Sequence, residues 1–338
     1  MIGPMLHDGF SRKFSYLRLS VTEVCNFSCR YCLPEGYLKG ARAPDSGDSR
    51  EKELSLREIE HLLQGVALAG FSKLRLTGGE PTVRKDLLQI IGAAKRMGTF
   101  RQIALSTNGW NLERMAQAFF EAGLTHVNVS VDSLDPGRFA ALTGRTGSVL
   151  ESILRGIEKC LQLGFTRVKL NAVLHADTAL LELDRFLEHV KDRAVSARFI
   201  ELMKTRARSG YRDRHFASAG GLRFALLARG WQQRARGEQE GPAVEYVHPD
   251  YRGSIGLISP HSDGFCESCN RLRVTSRGRL RLCLFGEEEF SLRPWLQDAE
   301  GARQLPQVFS ELLEKKPAAH LLQSGRSGML NSFSEVGG

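Results

Sequence analysis

From Tyr16 to Leu202 the chain alternates six times between strand-like runs and stretches that carry apolar residues at helical spacing. The strand-like runs are Tyr16–Val21, Lys73–Leu76, Ile103–Thr107, His126–Val131, Val168–Leu174 and Ala197–Leu202. Between them lie helical patterns from Ser55, over Leu87–Met97 and Leu112–Ala122, from near Ser148, and over Leu180–Val190. Alternation of this kind requires parallel strands joined by helical crossovers. Six units fall short of the eight that close a barrel. The expected fold is therefore α/β, an open and incomplete (β/α)6 TIM-like barrel. Ser55 with Glu58 reads as a capping box, and Ser148 with Glu151 as a second. Leu38–Lys52, rich in Gly, Pro, Ser and charge, reads as an exposed loop.

Polar and glycine residues gather just past the strand ends: Cys25–Cys32, Thr77–Glu80, Ser106–Gly109, Ser130–Ser133 and Glu201–Met203. Ordinary turns could account for one or two such groups. Five in succession point to one shared site, since α/β barrels build their active sites from these loops. Beyond Met203 the rhythm changes, with an Arg-rich stretch Lys204–Arg214 that receives no role. Strand-like runs at Val244–Val247 and Ile255–Ile258 follow. Two regions are expected, 1–214 as the partial barrel and 215–338 as a smaller C-terminal region that closes its open side.

Cys25, Cys29 and Cys32 are spaced C-x3-C-x2-C directly after the first strand-like run. Thiolates select zinc, copper(I) or iron–sulfur clusters, and a structural zinc site closes with four ligands. No fourth Cys or His lies nearby in sequence. Three thiolates on a cubane cluster leave one iron open to a small molecule, whereas a zinc knuckle would need a ligand from elsewhere. Cys266, Cys269 and Cys283 form a second triad, C-x2-C-x13-C, for which His261 could complete a zinc site. Arg271 and Arg273 between these cysteines share one side of an extended chain, either as a solvated face or as an anion-binding pair. Cys160 sits within an apolar helical pattern and reads as a buried small hydrophobe.

The formal net charge of +9 favours an anionic partner. The first residues lack the apolar core of a signal peptide, and no apolar run approaches the length that spans a bilayer. Seven cysteines without an export signal suit a reducing compartment, so a cytoplasmic protein without a membrane partner is expected. A zinc-stabilised nucleic-acid binder is a rival, but the interleaved aromatics of single-strand binders are missing, and no nucleic-acid partner is expected.

The first triad, followed by Thr77–Gly78–Gly79–Glu80–Pro81, resembles the radical S-adenosylmethionine enzymes. YLRLSVTEVCNFSCRYCLPEGY, LRLTGGEPTVRKDL, LSTNG, VNVSVDSLD, VKLNAVL, RFIELM, IGLIS, FCESCNRLRVTSRGRLRLCLFGEEE and the final GG together resemble one family closely, the GTP 3′,8-cyclases of molybdenum cofactor biosynthesis. A peptide-modifying radical enzyme with auxiliary clusters is the nearest rival.

The resemblance implies two 4Fe–4S clusters, one on Cys25, Cys29 and Cys32 that binds S-adenosyl-L-methionine, the other on Cys266, Cys269 and Cys283. It assigns Tyr31, Gly79, Ser130 and Met203 to S-adenosylmethionine. It assigns Arg18, Arg75, Ser106, Lys169, Arg271, Leu272 and Arg273 to GTP, with Lys73 and Arg198 as further triphosphate contacts. Gly337 and Gly338 would reach into the active site as a catalytic tail. By the same resemblance, a radical derived from S-adenosylmethionine takes hydrogen from the 3′ carbon of GTP, and the ribose radical adds to carbon 8 of guanine. The implied partners are GTP, a reductant protein such as flavodoxin or ferredoxin, the next enzyme (cyclic pyranopterin monophosphate synthase), and a second copy in a homodimer. The family commonly has Pro where this chain has Lys204 and Thr where it has Ser106; the latter keeps the hydroxyl.

Overall fold

A hairpin, β1 (Leu6–His7) and β2 (Lys13–Phe14), precedes the first long strand, β3 (Tyr16–Ser20). There follow α1 (Leu56–Leu68), β4 (Lys73–Thr77), α2 (Leu87–Arg96), β5 (Gln102–Thr107), α3 (Leu112–Ala122) and β6 (His126–Ser130). Then come α4 (Pro136–Thr143), α5 (Gly147–Gln162), β7 (Arg167–Leu174), α6 (Ala179–Lys191) and β8 (Val195–Glu201). The remaining chain gives α7 (Ser209–His215), α8 (Gly220–Ala228), β9 (Gln232–Gln233), β10 (Val244–Val247) and β11 (Ser254–Ile258). It ends with β12 (Arg271–Val274), β13 (Arg279–Arg281), β14 (Phe290–Ser291) and α9 (Ala299–Leu313). This computed structural model describes residues 6–33, 35–37, 52–205, 209–235, 237, 241–320, 322, 328 and 332–336. The loop expected over Leu38–Lys52, apart from Lys52, and the tail residues Gly337 and Gly338 lie outside them.

Strands β3 to β8 pair in parallel and in chain order. An open run of this kind leaves unpaired N–H and C=O groups at both edges. The C-terminal stretch covers both: β12 pairs in parallel with β3, and β11 with β8. Antiparallel strands continue outward, giving one twelve-stranded sheet whose outermost strands, β14 and β9, do not pair with each other among the described residues.

Successive side chains on a strand point to opposite faces. Leu17, Leu19, Leu74, Leu76, Ile103, Leu105, Val127, Val129, Val168 and Leu170 fall on one face, fully or nearly fully buried in the same core as Ile59, Leu62, Leu63 and Val66 of α1. The residues between them face away from that core, so one period of two supplies both the core and the site described below. Cys160 is buried within this core, as its context suggested. Gly65 of α1 meets α9 so closely that a β-carbon there would collide with Leu305.

The expected box at Ser55 and Glu58 forms: the Glu58 amide donates to Ser55 Oγ at 3.3 Å, and the Ser55 amide to Glu58 Oε2 at 2.8 Å. The second box does not. Helix α5 begins at Gly147 after Thr146, so Ser148 already lies inside it and its hydroxyl pairs with Thr146 Oγ1 at 2.8 Å. Among the described residues no helix is long and apolar enough to cross a membrane.

Candidate active site

The loop that carries the first cysteine triad leaves β3 and is tied to the end of β4. The Gly79 amide donates to Thr22 O at 2.8 Å and the Glu80 amide to Val24 O at 2.7 Å. Gly78 has φ +155°, and a β-carbon on Gly78 or Gly79 would strike the backbone of Thr22 or of Glu23 and Val24. Glycine is needed here for close approach. The Glu80 carboxylate is fully buried and accepts from Thr82 N at 3.0 Å, Thr82 Oγ1 at 2.6 Å, Thr107 Oγ1 at 2.7 Å and Asn108 N at 2.6 Å. Asn108 Nδ2 then donates to Asn26 Oδ1 at 2.7 Å, inside the cysteine loop. Glu80 thus anchors the loop through its neighbours.

Burial pushes the Cys25 thiol up to about 11, and raises Cys29 and Cys32 as well, with Cys32 adding to the cost of ionisation at Cys25 and both of these at Cys29. Three such thiols gain most as ligands, because a bound cation replaces the lost water. Tyr31 donates to Asp132 Oδ2 at 2.9 Å, while Asp132 Oδ1 accepts from Val173 N at 2.9 Å. Burial drives the Asp132 carboxyl up to about 6 against these hydrogen bonds. Ser130 is exposed at the end of β6, opposite Asn171 in the register.

On the other face of the sheet strands lies an open cavity of about 1340 Å³, its mouth included. Its walls carry Arg18, Lys73, Arg75, Ser106, Lys169, Arg198, Arg271 and Arg273, together with Met203 and the second triad, Cys266, Cys269 and Cys283. The register explains the grouping. Arg273 stands opposite Arg18, Arg18 opposite Arg75, Ser106 opposite Asn128, Asn128 opposite Lys169, and Asn171 opposite Arg198. Seven basic residues line the cavity and no Asp or Glu is among the described lining. Desolvation, then repulsion from Arg198 and Arg75, brings Lys169 down to about 6. Burial, then Arg271, brings Arg273 down to about 10, and its Nη1 is buried without a hydrogen-bond partner. A cavity with these walls is built for a polyanion.

The second triad borders this cavity. Arg12 ties it to the N-terminal hairpin: its Nη1 donates to Cys266 O at 3.2 Å and Ala318 O at 2.6 Å, its Nη2 to Pro317 O at 2.7 Å, and its Nε to Asp8 Oδ2 at 2.6 Å. Lys316 Nζ donates to Leu282 O, next to Cys283. Burial would raise the Cys269 thiol, but Arg271 and Lys316 outweigh it and bring it down to about 7. Among the described residues no three His, Cys, Asp or Glu side chains converge on a single-ion site. His261, the candidate fourth zinc ligand, is not on the cavity wall; its ring meets Phe216 at 5.5 Å. His320 is on the wall, between Phe265 and Phe285.

A small apolar cluster of Phe285, Leu322, Phe333 and Val336 touches Cys32 on one side and Cys283 on the other, with Met203 against it. Ser332 Oγ lies 3.5 Å from Cys32 Sγ, and Glu335 pairs with Arg281 at 3.3 Å. The chain just before Gly337 and Gly338 therefore lies against the first triad.

Of the residues the sequence pointed to, twelve meet at the cavity: Arg18, Lys73, Arg75, Ser106, Lys169, Met203, Arg198, Arg271 and Arg273, with Cys266, Cys269 and Cys283. Leu272 does not bring its side chain there; it is fully buried on the opposite face of β12. Tyr31 lies within the first triad and Gly79 against its loop, while Ser130 lies at the end of β6. Sequence reasoning missed Tyr16, Asn128, Asn171 and His320 on the cavity wall. Tyr16 and Asn171 each sit two residues from a basic wall residue on the same strand, Arg18 and Lys169, which the period of two could have shown. It also missed Glu245, which pairs with Arg198 and, at 2.8 Å, with Arg234.

Two family models match the chain: the Radical SAM superfamily over residues 19–190 and Molybdenum Cofactor Synthesis C over residues 195–322. Among solved structures, Streptococcus suis SuiB bound to S-adenosylmethionine aligns with a TM-score of 0.56 at 13% identity, covering 86% of this chain and 68% of that one. That likeness is one of fold. Fold and first triad together place the chain in the radical S-adenosylmethionine superfamily. GTP 3′,8-cyclases of Vibrio atlanticus and Synechococcus elongatus are 43% and 45% identical, over 100% and 99% of this chain and 98% and 99% of theirs. That of Yersinia pestis is 44% identical over 98% of this chain and 99% of its own. The chain belongs to the GTP 3′,8-cyclase family.

Proposed function

We propose that this chain cyclises GTP to 3′,8-cyclo-7,8-dihydro-GTP, a step of molybdenum cofactor synthesis. The observation that carries the proposal is the cavity with seven basic walls and no described carboxylate, bordered by a second set of three thiols. A triphosphate suits the first feature, and a cluster held by Cys266, Cys269 and Cys283 beside the nucleotide would suit the second. The donor sets fit two 4Fe–4S clusters: Cys25 and Cys32 act on the Cys29 thiol, and Cys266 and Cys269 on the Cys283 thiol, so each triad is gathered in one place. Cys25, Cys29 and Cys32 would hold the first cluster, and Cys266, Cys269 and Cys283 the second. When bound, the clusters and S-adenosylmethionine supply one-electron chemistry and hydrogen-atom abstraction.

The chain's own residues bind, orient and shield. Tyr31, Gly79, Ser130 and Met203 would line the S-adenosylmethionine site beside the first triad. Arg18, Lys73, Arg75, Ser106, Lys169, Arg198, Arg271 and Arg273 would clamp GTP, and Leu272 would contribute only backbone. Fixing the triphosphate in this way lowers the entropic part of the barrier. Gly337 and Gly338 would approach the substrate from the turn that rests on Cys32.

The proposal carries further parts: residues 1–214 as a partial (β/α)6 barrel, 215–338 as the region that completes the site, a flavodoxin- or ferredoxin-like reductant, a homodimer, transfer of product to cyclic pyranopterin monophosphate synthase, and a cytoplasmic location. The test is anaerobic reconstitution followed by iron and sulfide counts and a GTP-dependent assay for 5′-deoxyadenosine and cyclised nucleotide. Iron at both triads with GTP-dependent product supports the proposal. Zinc in place of iron, or turnover indifferent to GTP, overturns it.

A further inference from the structure

The crowding of positive charge in the cavity leaves Arg75 to be explained. Arg198 leans on the Glu245 carboxylate. Arg75 has no carboxylate partner among the described residues and is held by hydroxyl oxygens instead: its Nε donates to Tyr16 Oη and its Nη1 to Ser106 Oγ at 3.0 Å. Its guanidinium carbon also lies 5.8 Å from the centre of the Tyr16 ring. Two of the five N–H groups of a guanidinium are then engaged, and the others stay available to a ligand. Tyr16 stands opposite Lys73 in the β3–β4 register and opposite Arg271 in the β12–β3 register. The charged groups facing its oxygen are Arg75 from β4, Arg18 from its own strand, and Arg271 and Arg273 from β12.

We propose that Tyr16 is a positioning residue of the phosphate cradle, whose oxygen fixes Arg75 against Ser106 and serves as the cavity's counter-charge until the substrate arrives. Burial alone would push the Tyr16 phenol up, but Arg75 and Arg18, the hydrogen bond from Arg75, and Arg271 outweigh it and bring it down to about 8. In the empty cavity at mildly alkaline pH the phenol therefore gives its proton to solvent and stands as phenolate among the guanidiniums. When a triphosphate enters, its oxygens take over that role, and the phenolate recovers one proton from solvent. The ring stays in place throughout, so the Arg75 fork keeps its aim.

The inference rests on the cavity being the GTP site, a reading that fails separately if Arg75→Ala and the wild type bind GTP equally. The test uses the protein with both clusters in place. Tyr16→Phe keeps the ring and removes the oxygen. At pH 7, where the phenol is protonated, the expected result is a dissociation constant for GTP raised about tenfold, as for loss of one charge-assisted hydrogen bond, with guanosine binding unchanged. At saturating GTP, kcat stays at the wild-type value while KM rises. In an Arg75→Lys background Tyr16→Phe adds little further loss, because the partner it positions is gone. Placing 3-fluorotyrosine, a more acidic phenol, at position 16 moves the alkaline fall in GTP affinity to lower pH. Wild-type GTP affinity in Tyr16→Phe overturns the proposal. So do equal losses for GTP and guanosine, and so does an unmoved pH profile with fluorotyrosine.

Discussion

With Lys169 assigned to the GTP site as proposed above, GTP binding is expected to be a proton-uptake reaction. In the empty cavity desolvation and the neighbouring Arg198 and Arg75 bring the Lys169 ammonium down from 10.5 to about 6. At pH 8 about one molecule in a hundred carries the proton there, two pH steps above that midpoint. A bound triphosphate supplies the opposite charge and returns Lys169 toward its ordinary value, so nearly every bound molecule is protonated. The sign follows. Binding selects the charged form, so affinity is greatest near and below pH 6, where that form already exists, and falls as pH rises through the window between 6 and 10.5. The Lys169 proton by itself gives a slope of about tenfold in affinity per pH step, or about a hundredfold between pH 7 and 9, to which the Tyr16 proton adds above about pH 8.

Titration calorimetry of GTP in two buffers of different ionisation enthalpy counts the protons directly. Above about pH 7.5 the phosphate oxygens are fully ionised and contribute nothing. Lys169→Gln, compared with the wild type at the same pH, isolates Lys169 from the proton that Tyr16 recovers. The expected difference is about one proton per GTP at pH 8, together with a flattened pH dependence. An equal proton count in the two proteins would refute the reasoning, as would a wild-type affinity that does not change over this range.

Arg273→Ala removes the buried Nη1 that lacks a protein partner; by equilibrium dialysis GTP should bind roughly ten- to a hundredfold more weakly, with a much smaller change for guanosine. Cys29→Ala should abolish 5′-deoxyadenosine formation, while Cys269→Ala retains it after strong reduction without GTP; absence of it from both proteins would show that the triads do not divide the labour. Deleting Gly337 and Gly338 should leave iron content, Tm and GTP affinity unchanged but lower cyclised product by about 10²-fold, the scale of a 1 Å misplacement; equal turnover would make the tail a passive end.

The elements legible in the sequence are those with a local signature. The six strand–helix units follow from the switch between periods of two and 3.6. The Ser55–Glu58 box closes within one turn, whereas the Ser148–Glu151 match failed because four letters do not say where a helix begins. Arg271 and Arg273 reach the cavity while Leu272 enters the core, as strand alternation requires. Both cysteine triads announce thiolate ligation through spacing, while the choice of iron–sulfur clusters over zinc came from the family resemblance.

The sequence by itself determined which residue types carry charge and sulfur and how they alternate along each strand. Only the tertiary structure decided which of them meet. Arg12 reaches Cys266 O across 254 positions, and Ser332 reaches Cys32 across 300. β12 and β11 come back to the two open edges, so that Arg273 stands beside Arg18. Tyr16 acquires its role only when Arg75, Arg18 and Arg271 surround it, and Glu245 only when Arg198 lies over Gly256 beside it. Strand pairing is set by backbone hydrogen bonds common to every sequence. The choice of partner therefore depends on burying the whole leucine- and valine-lined face at once, and no single stretch of chain encodes that sum.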